Sequence, residues 1–448
     1  MRNAMKRWMT VGLAATVVVS LAACAGGSGP AAETAAPVAT PTNYSGEPVT
    51  VEFWASNPVL STLVDLFNSQ QADTGITVEF TEQAGAVQLE QNLRNAYAAG
   101  GGPDVFDTIS ENLNSLASAG IALDITAYEA PYKDKFSDTA FNAVTTADTT
   151  YGVPAASIPA FMLYNAQVFA DNGLEYPDTW DEFITAGKTL AAKDIKIYNL
   201  AGEDYTTYVY LAWQAGAQWW QLEGDGWTIN ADSPETEKAA EILQQMIDSE
   251  IVSKVSYAEF AAMMQDYNDA KIASRQLSTW QTKSMQANLT SGLGQWEPYP
   301  NPTFTGEDEA NVSFTRAYAI NSNSENPDAA AYFANWAATN EEATRLIASP
   351  IDGASWFPAV ADPSSYIAIS EPVQLIGENA DQWEPVVQNA VDTQKGDWTY
   401  GPNAAAAFKE LADQWGKAVD QQIKVADIAP HMQKWIENDL KQSGITVN

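Results

Sequence analysis

The sequence predicts an α/β protein of two lobes. The prediction rests on an early alternation of strand-like and helix-like segments, on the length of the globular part, and on the start signals of the later helices. Val49-Thr50-Val51-Glu52-Phe53-Trp54 alternates and is rich in β-branched and aromatic residues, as a half-buried strand requires. Asn57-Pro58 breaks it, and Leu60, Leu63, Val64 and Phe67 then fall on one face of a helix. Gly75 ends that helix, and Ile76-Thr77-Val78-Glu79-Phe80 reads as a second strand. A helix around Leu89, Leu93 and Tyr97 stops at Gly100-Gly101-Gly102-Pro103, before a short third strand at Asp104-Val105-Phe106-Asp107. Strand, helix, strand, helix, strand is the pattern of a parallel sheet covered by helices. The globular part is about 400 residues long, more than one core normally serves, and so should divide into two lobes.

Later helices announce themselves. Thr179-Trp180-Asp181-Glu182 is a capping box with Phe183, Ile184, Leu190 and Ala191 behind it. Ser233-Pro234 supplies an N-cap and a first-turn proline before Ala239, Leu243, Met246 and Ile247. Asn326-Pro327 does the same before Tyr332, Phe333 and Trp336. Their apolar stripes, with Trp180, Trp336, Trp415 and Trp435, read as packing faces. No internal repeat is present.

The first 23 residues read as an export signal: a basic start (Arg2, Lys6, Arg7) and an apolar run from Val11 to Ala23. Thirteen residues rise only about 20 Å as a helix, short of a bilayer core of about 30 Å, so a membrane span is not expected. The run ends in Leu21-Ala22-Ala23-Cys24, which resembles a bacterial lipobox. In such signals the cysteine becomes the first mature residue and carries lipid. Residues 24–46 hold mostly Ala, Gly, Pro, Thr and Ser without apolar periodicity, and read as a flexible tether reaching on the order of 25 Å. The expected place is outside the cytoplasm, anchored to the membrane by lipid at Cys24.

Composition excludes several kinds of chemistry. Beyond residue 23 the chain keeps 19 of its 22 basic residues and all 57 acidic ones, a net charge of −38. Such a surface repels polyanions, so no nucleic-acid partner is expected. Cys24 is the sole cysteine; once lipidated, it leaves no disulfide, thiol nucleophile or thiolate metal site. The sole histidine, His431, stands in a helical stretch near Trp435 and reads as an ordinary helix residue. Neither a cofactor nor a metal site is expected. Carboxylates alone stay open as catalytic groups.

Three runs carry a family resemblance. Tyr97-Ala98-Ala99-Gly100-Gly101-Gly102-Pro103-Asp104-Val105-Phe106, within the stretch from Val49 to Thr108, is the first. Tyr151-Gly152-Val153-Pro154, Leu163-Tyr164-Asn165 and Pro177-Asp178-Thr179-Trp180-Asp181-Glu182-Phe183 form the second. Arg316-Ala317-Tyr318-Ala319-Ile320-Asn321 with Asn326-Pro327-Asp328-Ala329-Ala330 is the third. In this order they resemble the extracellular solute-binding proteins of carbohydrate ABC importers, the maltose-binding-protein-like family. The resemblance implies a periplasmic-binding-protein-like fold with an interlobe cleft and three hinge crossings, near Val153–Ser157, Tyr318–Asn321 and Phe357–Ala361. The first lobe would be 47–153 plus 321–358, and the second 154–320 plus 359–448.

Open α/β sheets bind ligand outside the carboxyl ends of their strands, which nominates Trp54, Asn57, Glu82, Gln83, Asp107 and Glu111. A sugar has apolar C–H faces and a rim of hydroxyls, so its site needs flat aromatic side chains beside carboxylates and amides. Trp280, at the end of a strand, resembles the family's sugar-stacking tryptophan. Ser355 and Trp356 lie in the loop of the third crossing, and Trp398 and Tyr400 where the family has a C-terminal aromatic wall. Asn165 matches a family asparagine at a strand end. One of Trp213, Trp219 and Trp220 should face the cleft. Arg316, a charge directly before an apolar strand, should meet a cleft carboxylate or the ligand. The expected protein is a non-enzymatic, monomeric receptor that captures a neutral oligosaccharide by lobe closure and delivers it to the membrane subunits of an ABC permease. A receptor for a peptide or cationic solute, a secreted carboxylate glycosidase and a lipid-anchored adhesin are the alternatives.

Overall fold

The computed structural model describes Tyr44, residues 46–308 and residues 310–448. The export signal, Cys24 and nearly all of the tether lie outside the described residues. Among the described residues no helix is long and apolar enough to cross a membrane.

The strands that position the site are β1 (Val49–Ala55), β2 (Ile76–Glu82), β3 (Val105–Ile109), β4 (Val153–Pro159), β5 (Phe161–Asn165), β6 (Ser274–Leu277), β7 (Trp296–Tyr299), β8 (Ser313–Ile320) and β9 (Phe357–Pro358). Six of them form one sheet in the order β9-β4-β8-β3-β1-β2, and three form a second in the order β6-β5-β7. β1 runs parallel to both β2 and β3, as the alternation from Val49 to Asp107 predicts. The other half of the sheet is antiparallel, because β8 returns against β3 and β4. The helices used below are α1 (Leu60–Gln70), α2 (Ala86–Ala98), α3 (Ser110–Ser118), α4 (Thr206–Gln214), α5 (Thr279–Asn288), α6 (Pro327–Thr339) and α7 (Ala404–Val419).

Local chemistry explains the early elements. α1 buries Leu60, Leu63, Val64 and Phe67 against Phe333 and Trp336 of α6. Gly75 takes φ +80°, which a side chain would resist, and so turns the chain into β2. The capping box at Thr179 is complete, with Glu182 closing back on the Thr179 amide. Ser233 caps its helix through the Thr236 amide.

The chain passes between the two sheets at defined places. It leaves the six-stranded sheet only after Pro159 and enters the three-stranded one at Phe161, so all of β4 belongs to the first sheet. β8 also lies wholly in the first sheet, paired from Ser313 with β4 and up to Ile320 with β3. The chain returns from β7 in the second sheet to β8 in the first through the segment between Tyr299 and Ser313. Sequence marks where a strand ends but not which neighbours it pairs with.

The largest core is aromatic. Trp219, Trp220, Trp398, Tyr400 and Phe408 cluster with ring centroids about 6 Å apart. Gly401 lies face-on to this cluster, and a Cβ there would stand 2.1 Å from Trp220 Cδ1. Trp220 is fully buried, and its indole N–H donates to Asn403 at 3.1 Å, so the ring has nowhere to move. Gly401→Ala should destabilise the protein by about 1–3 kcal/mol, the usual cost of overpacking, read as a lower urea midpoint.

Candidate functional site

A cavity of about 290 Å³ opens where the carboxyl end of β3 faces the second sheet. Ile109, Glu111, Ile158 and Phe314 form one wall, from the elements of the six-stranded sheet. Asp204 and Tyr205 before α4, Tyr210 within it, Tyr257, Gln276 on β6 and Trp280 on α5 form the other. Trp280 is 44% exposed, one of few large apolar side chains left open. The Ser278 capping box that starts α5 fixes where its indole projects.

Polar groups in this cavity are held in defined states. Tyr205 donates its hydroxyl to Glu111 at 2.6 Å, linking the two walls. Burial pushes the Glu111 carboxyl up to about 7; the Tyr205 hydrogen bond pulls it down, and the Glu90 charge adds to the rise. Burial likewise raises Asp204, whose carboxylate accepts from the Thr206 amide at 3.1 Å and from the Thr206 hydroxyl. Gln276 donates to Asn301 at 3.0 Å. Flat rings beside hydroxyls, amides and buried carboxyls suit a ligand with apolar faces and a hydroxyl rim.

Directly beside this cavity the structure brings three candidates together. Arg316 forms an ion pair with Asp107 across β8 and β3, and its guanidinium lies 4.2 Å from the centroid of the Trp356 ring. Side chains two apart on a strand share a face, so Asp107 lies two residues behind Ile109 of the cavity wall, and Arg316 stands directly across from Ile109 in the sheet. The Asp107 side chain is 1% exposed and that of Arg316 18%. Burial pushes the Asp107 carboxyl above its usual range, and the Arg316 charge pulls it part of the way back. Asp107 Oδ1 and Arg316 Nε have no hydrogen-bond partner. The loop carrying Trp356 is tied to the start of α5, since the Thr279 hydroxyl donates to the Ser355 carbonyl at 2.8 Å and Ser355 Oγ to the Thr279 carbonyl at 3.2 Å. Buried Ser355 therefore serves that joint.

The other candidates lie elsewhere. Trp54 donates its indole N–H to Glu52 at 2.6 Å and rests half-buried on the core around Leu89 and Leu93. Asn57 accepts from the Val59 amide ahead of α1, and Glu82 ends β2 exposed. Gln83 is buried and accepts from Asn92 of α2 at 2.7 Å. Asn165 accepts from the Val168 amide at 3.1 Å and caps a helix. Trp213, Trp219 and Trp220 are all buried, and the lining of this cavity does not include them. Trp213 donates to Asp397, Trp219 to Thr236, and Trp398 and Tyr400 complete the aromatic core. Their Gly- and Pro-rich loop looks open in sequence, but its rings gain more by burial than they would as a cleft wall.

Sequence reasoning missed Asp204, Tyr205, Tyr210, Tyr257 and Gln276. The run Asp204-Tyr205-Thr206-Thr207-Tyr208-Val209-Tyr210 carried the signal, because it mixes tyrosines and hydroxyls with no solvated polar face, and α4 is buried from Thr207 to Gln214.

Residues 54–344, more than half of the chain, match the bacterial extracellular solute-binding proteins, and the chain belongs to that family. The arabinooligosaccharide-binding protein of Halalkalibacterium halodurans is 24% identical over 227 residues, which are 48% of this chain and 50% of that protein. The chain thus spans about half the length of the curated relative it matches. Two solved structures share the fold. The galacto-N-biose/lacto-N-biose I-binding protein of an ABC transporter from Bifidobacterium longum, in complex with lacto-N-biose, superposes with a TM-score of 0.78 at 23% identity, over 90% of this chain and 100% of that one. An ABC transporter associated binding protein from B. animalis subsp. lactis Bl-04, in complex with β-1,6-galactobiose, gives 0.75 at 22% identity, over 90% and 100%. The fold is the α/β fold of the periplasmic binding proteins.

Proposed function

We propose that the protein is the solute-binding component of an ABC importer, and that it captures a neutral oligosaccharide in the cavity between Glu111 and Trp280 without breaking a bond in it. The observation that carries this reading is the cavity itself: an exposed tryptophan and four tyrosines around the Glu111 and Asp204 carboxyls and the Gln276 and Gln281 amides. Family membership and the sugar-bound relatives of the same fold support it. The chain's passages between the sheets act as hinges, and the ligand stabilises the closed form that the permease subunits recognise. Lipid at Cys24 tethers the monomer to the outer face of the membrane. The ligand is short, because most tryptophans that could have stacked on further sugar rings are buried in cores.

Calorimetry of the purified protein against arabino-, galacto- and malto-oligosaccharides of two to five units tests the reading. At least one series should bind with Kd below millimolar, and Trp280→Ala should weaken it at least about tenfold, the worth of one stacked ring. Binding of a peptide or polyamine instead, or the appearance of shortened saccharides, would replace the reading with a cation receptor or a glycosidase.

A further inference from the structure

A second cavity, of about 230 Å³, lies one turn further along α3. Asn114 and Ser118 of α3 line one side with Thr146 and Tyr151; Trp227 and Pro402 line the other. Its two walls belong to different cores. Tyr151 rests on the cluster around Leu113 and Leu116, and Trp227 on the large aromatic one. Glu111, Asn114 and Ser118 recur at helical spacing on one face of α3, so the second cavity follows the first at about 4.5 Å of rise for each three residues. Between them α3 is tied to the Tyr400–Ala405 segment: Asn114 Nδ2 donates to the Tyr400 carbonyl, the Ala405 amide donates to Ser115 Oγ at 3.5 Å, and Asn114 Oδ1 accepts from Thr146 at 2.8 Å.

The chemistry of the second cavity is selective. None of its lining side chains is charged, in a chain with 57 acidic residues. A cationic group would find no carboxylate there and an anionic one no base. Instead the lining offers two aromatic rings, the apolar side chains of Leu222 (39% exposed), Ala117, Ala147 and Pro402, and an amide and hydroxyls that both donate and accept. That combination matches an uncharged, hydroxyl-rimmed ring.

We infer that the second cavity is an extension subsite, holding one further neutral sugar unit of the ligand whose first units occupy the Glu111–Trp280 cavity. The inference rests on the reading proposed above and deepens it. Two adjoining subsites of one chemistry, set along a single helix, make the protein discriminate by ligand length. The ties around Asn114 must yield, or be straddled, when the longer ligand enters.

The test is calorimetry with β-1,6-linked galacto-oligosaccharides and arabino-oligosaccharides of two, three and four units. In the series that binds, one of the longer members should bind about tenfold more tightly than the two-unit member, the gain expected of one added stacking contact. Trp227→Ala should remove that gain and leave the two-unit Kd within about twofold. Trp227 also rests on a core, so Ser118→Trp serves as an independent variant: Ser118 is exposed, and the new ring fills the cavity from the opposite wall. It should remove the same gain. Equal affinity for all lengths, or a gain that survives both substitutions, would overturn the extension subsite and leave the first cavity standing. Failure of every saccharide to bind wild-type protein would overturn both.

Discussion

Glu129→Gln should raise the stability of the protein by roughly 3 kcal/mol at pH 7 and flatten its loss of stability as pH rises from about 4.5 to about 8. Glu129 is fully buried in the core of the first sheet, more than 200 residues away in sequence from its partner Asn335. Asn335 Nδ2 donates to Glu129 Oε1 at 2.7 Å, while Glu129 Oε2 and Asn335 Oδ1 both lack partners. Burial pushes the carboxyl up to about 8, with the Asn335 hydrogen bond opposing. A carboxyl raised in the folded state stabilises fully below its unfolded value near 4.5, and that contribution is lost as pH rises through about 8. At about 1.4 kcal/mol per unit, most of it is gone by pH 7. Glutamine has the same shape, carries no charge and can donate to Asn335 Oδ1 while accepting from Nδ2. Urea unfolding of both proteins at pH 5, 7 and 8.5 measures the difference. It should be small at pH 5 and grow with pH. A variant that is less stable than wild type at pH 8.5 would show that Glu129 is ionised at little cost. Glu111, raised to about 7, leaves a weaker slope of the same sign in both proteins.

The parts of this fold that sequence reveals are those fixed by neighbours in the chain. The stripe Leu60–Leu63–Val64–Phe67 needs only a helix and a core, and Thr179 needs only Glu182. Partnership across hundreds of residues leaves no such mark. Glu129 drew no attention, because nothing near it announces burial or Asn335. β8 is recognisable as a strand in the sequence, but its pairing with β3 and β4 is not. The tryptophans make the same point more sharply. Trp280 and Trp398 both stand among small and polar residues, yet one is open to the cavity and the other 5% exposed. What separates them is the surface each meets in space, the mouth of the cavity or Trp219 and Tyr400. The cavity's own aromatics were hidden for the converse reason: Tyr205 and Tyr210 reach the wall through the placement of α4 against the second sheet, which no neighbour in the chain announces.

Arg316→Ala should cost about 3–5 kcal/mol of stability, more than any other single change considered for this protein, because it strands the Asp107 carboxylate with no countercharge. The side chain of Asp107 is 1% exposed, and Oδ1 already lacks a partner. Removing the guanidinium also uncovers the face of Trp356, which is 6% exposed. The cost lies in the uncompensated charge, and a double variant separates the causes. Replacing a buried ion pair by apolar side chains of similar volume is often neutral. Arg316→Met with Asp107→Leu should therefore recover most of what Arg316→Ala loses, as read by urea unfolding. If the double variant stays as unstable as the single one, the loss comes from the Trp356 stack and the loop behind it, not from charge. Its saccharide affinity then decides a separate question. Arg316 stands directly across from Ile109 in the sheet, and Asp107 lies two residues behind Ile109 on the same face, so they can hold the ligand directly or hold the wall that does. A double variant with restored stability and unchanged affinity makes the pair a structural support for the cavity. Restored stability with affinity reduced at least about tenfold makes the unpaired Nε and Oδ1 the groups that meet the ligand.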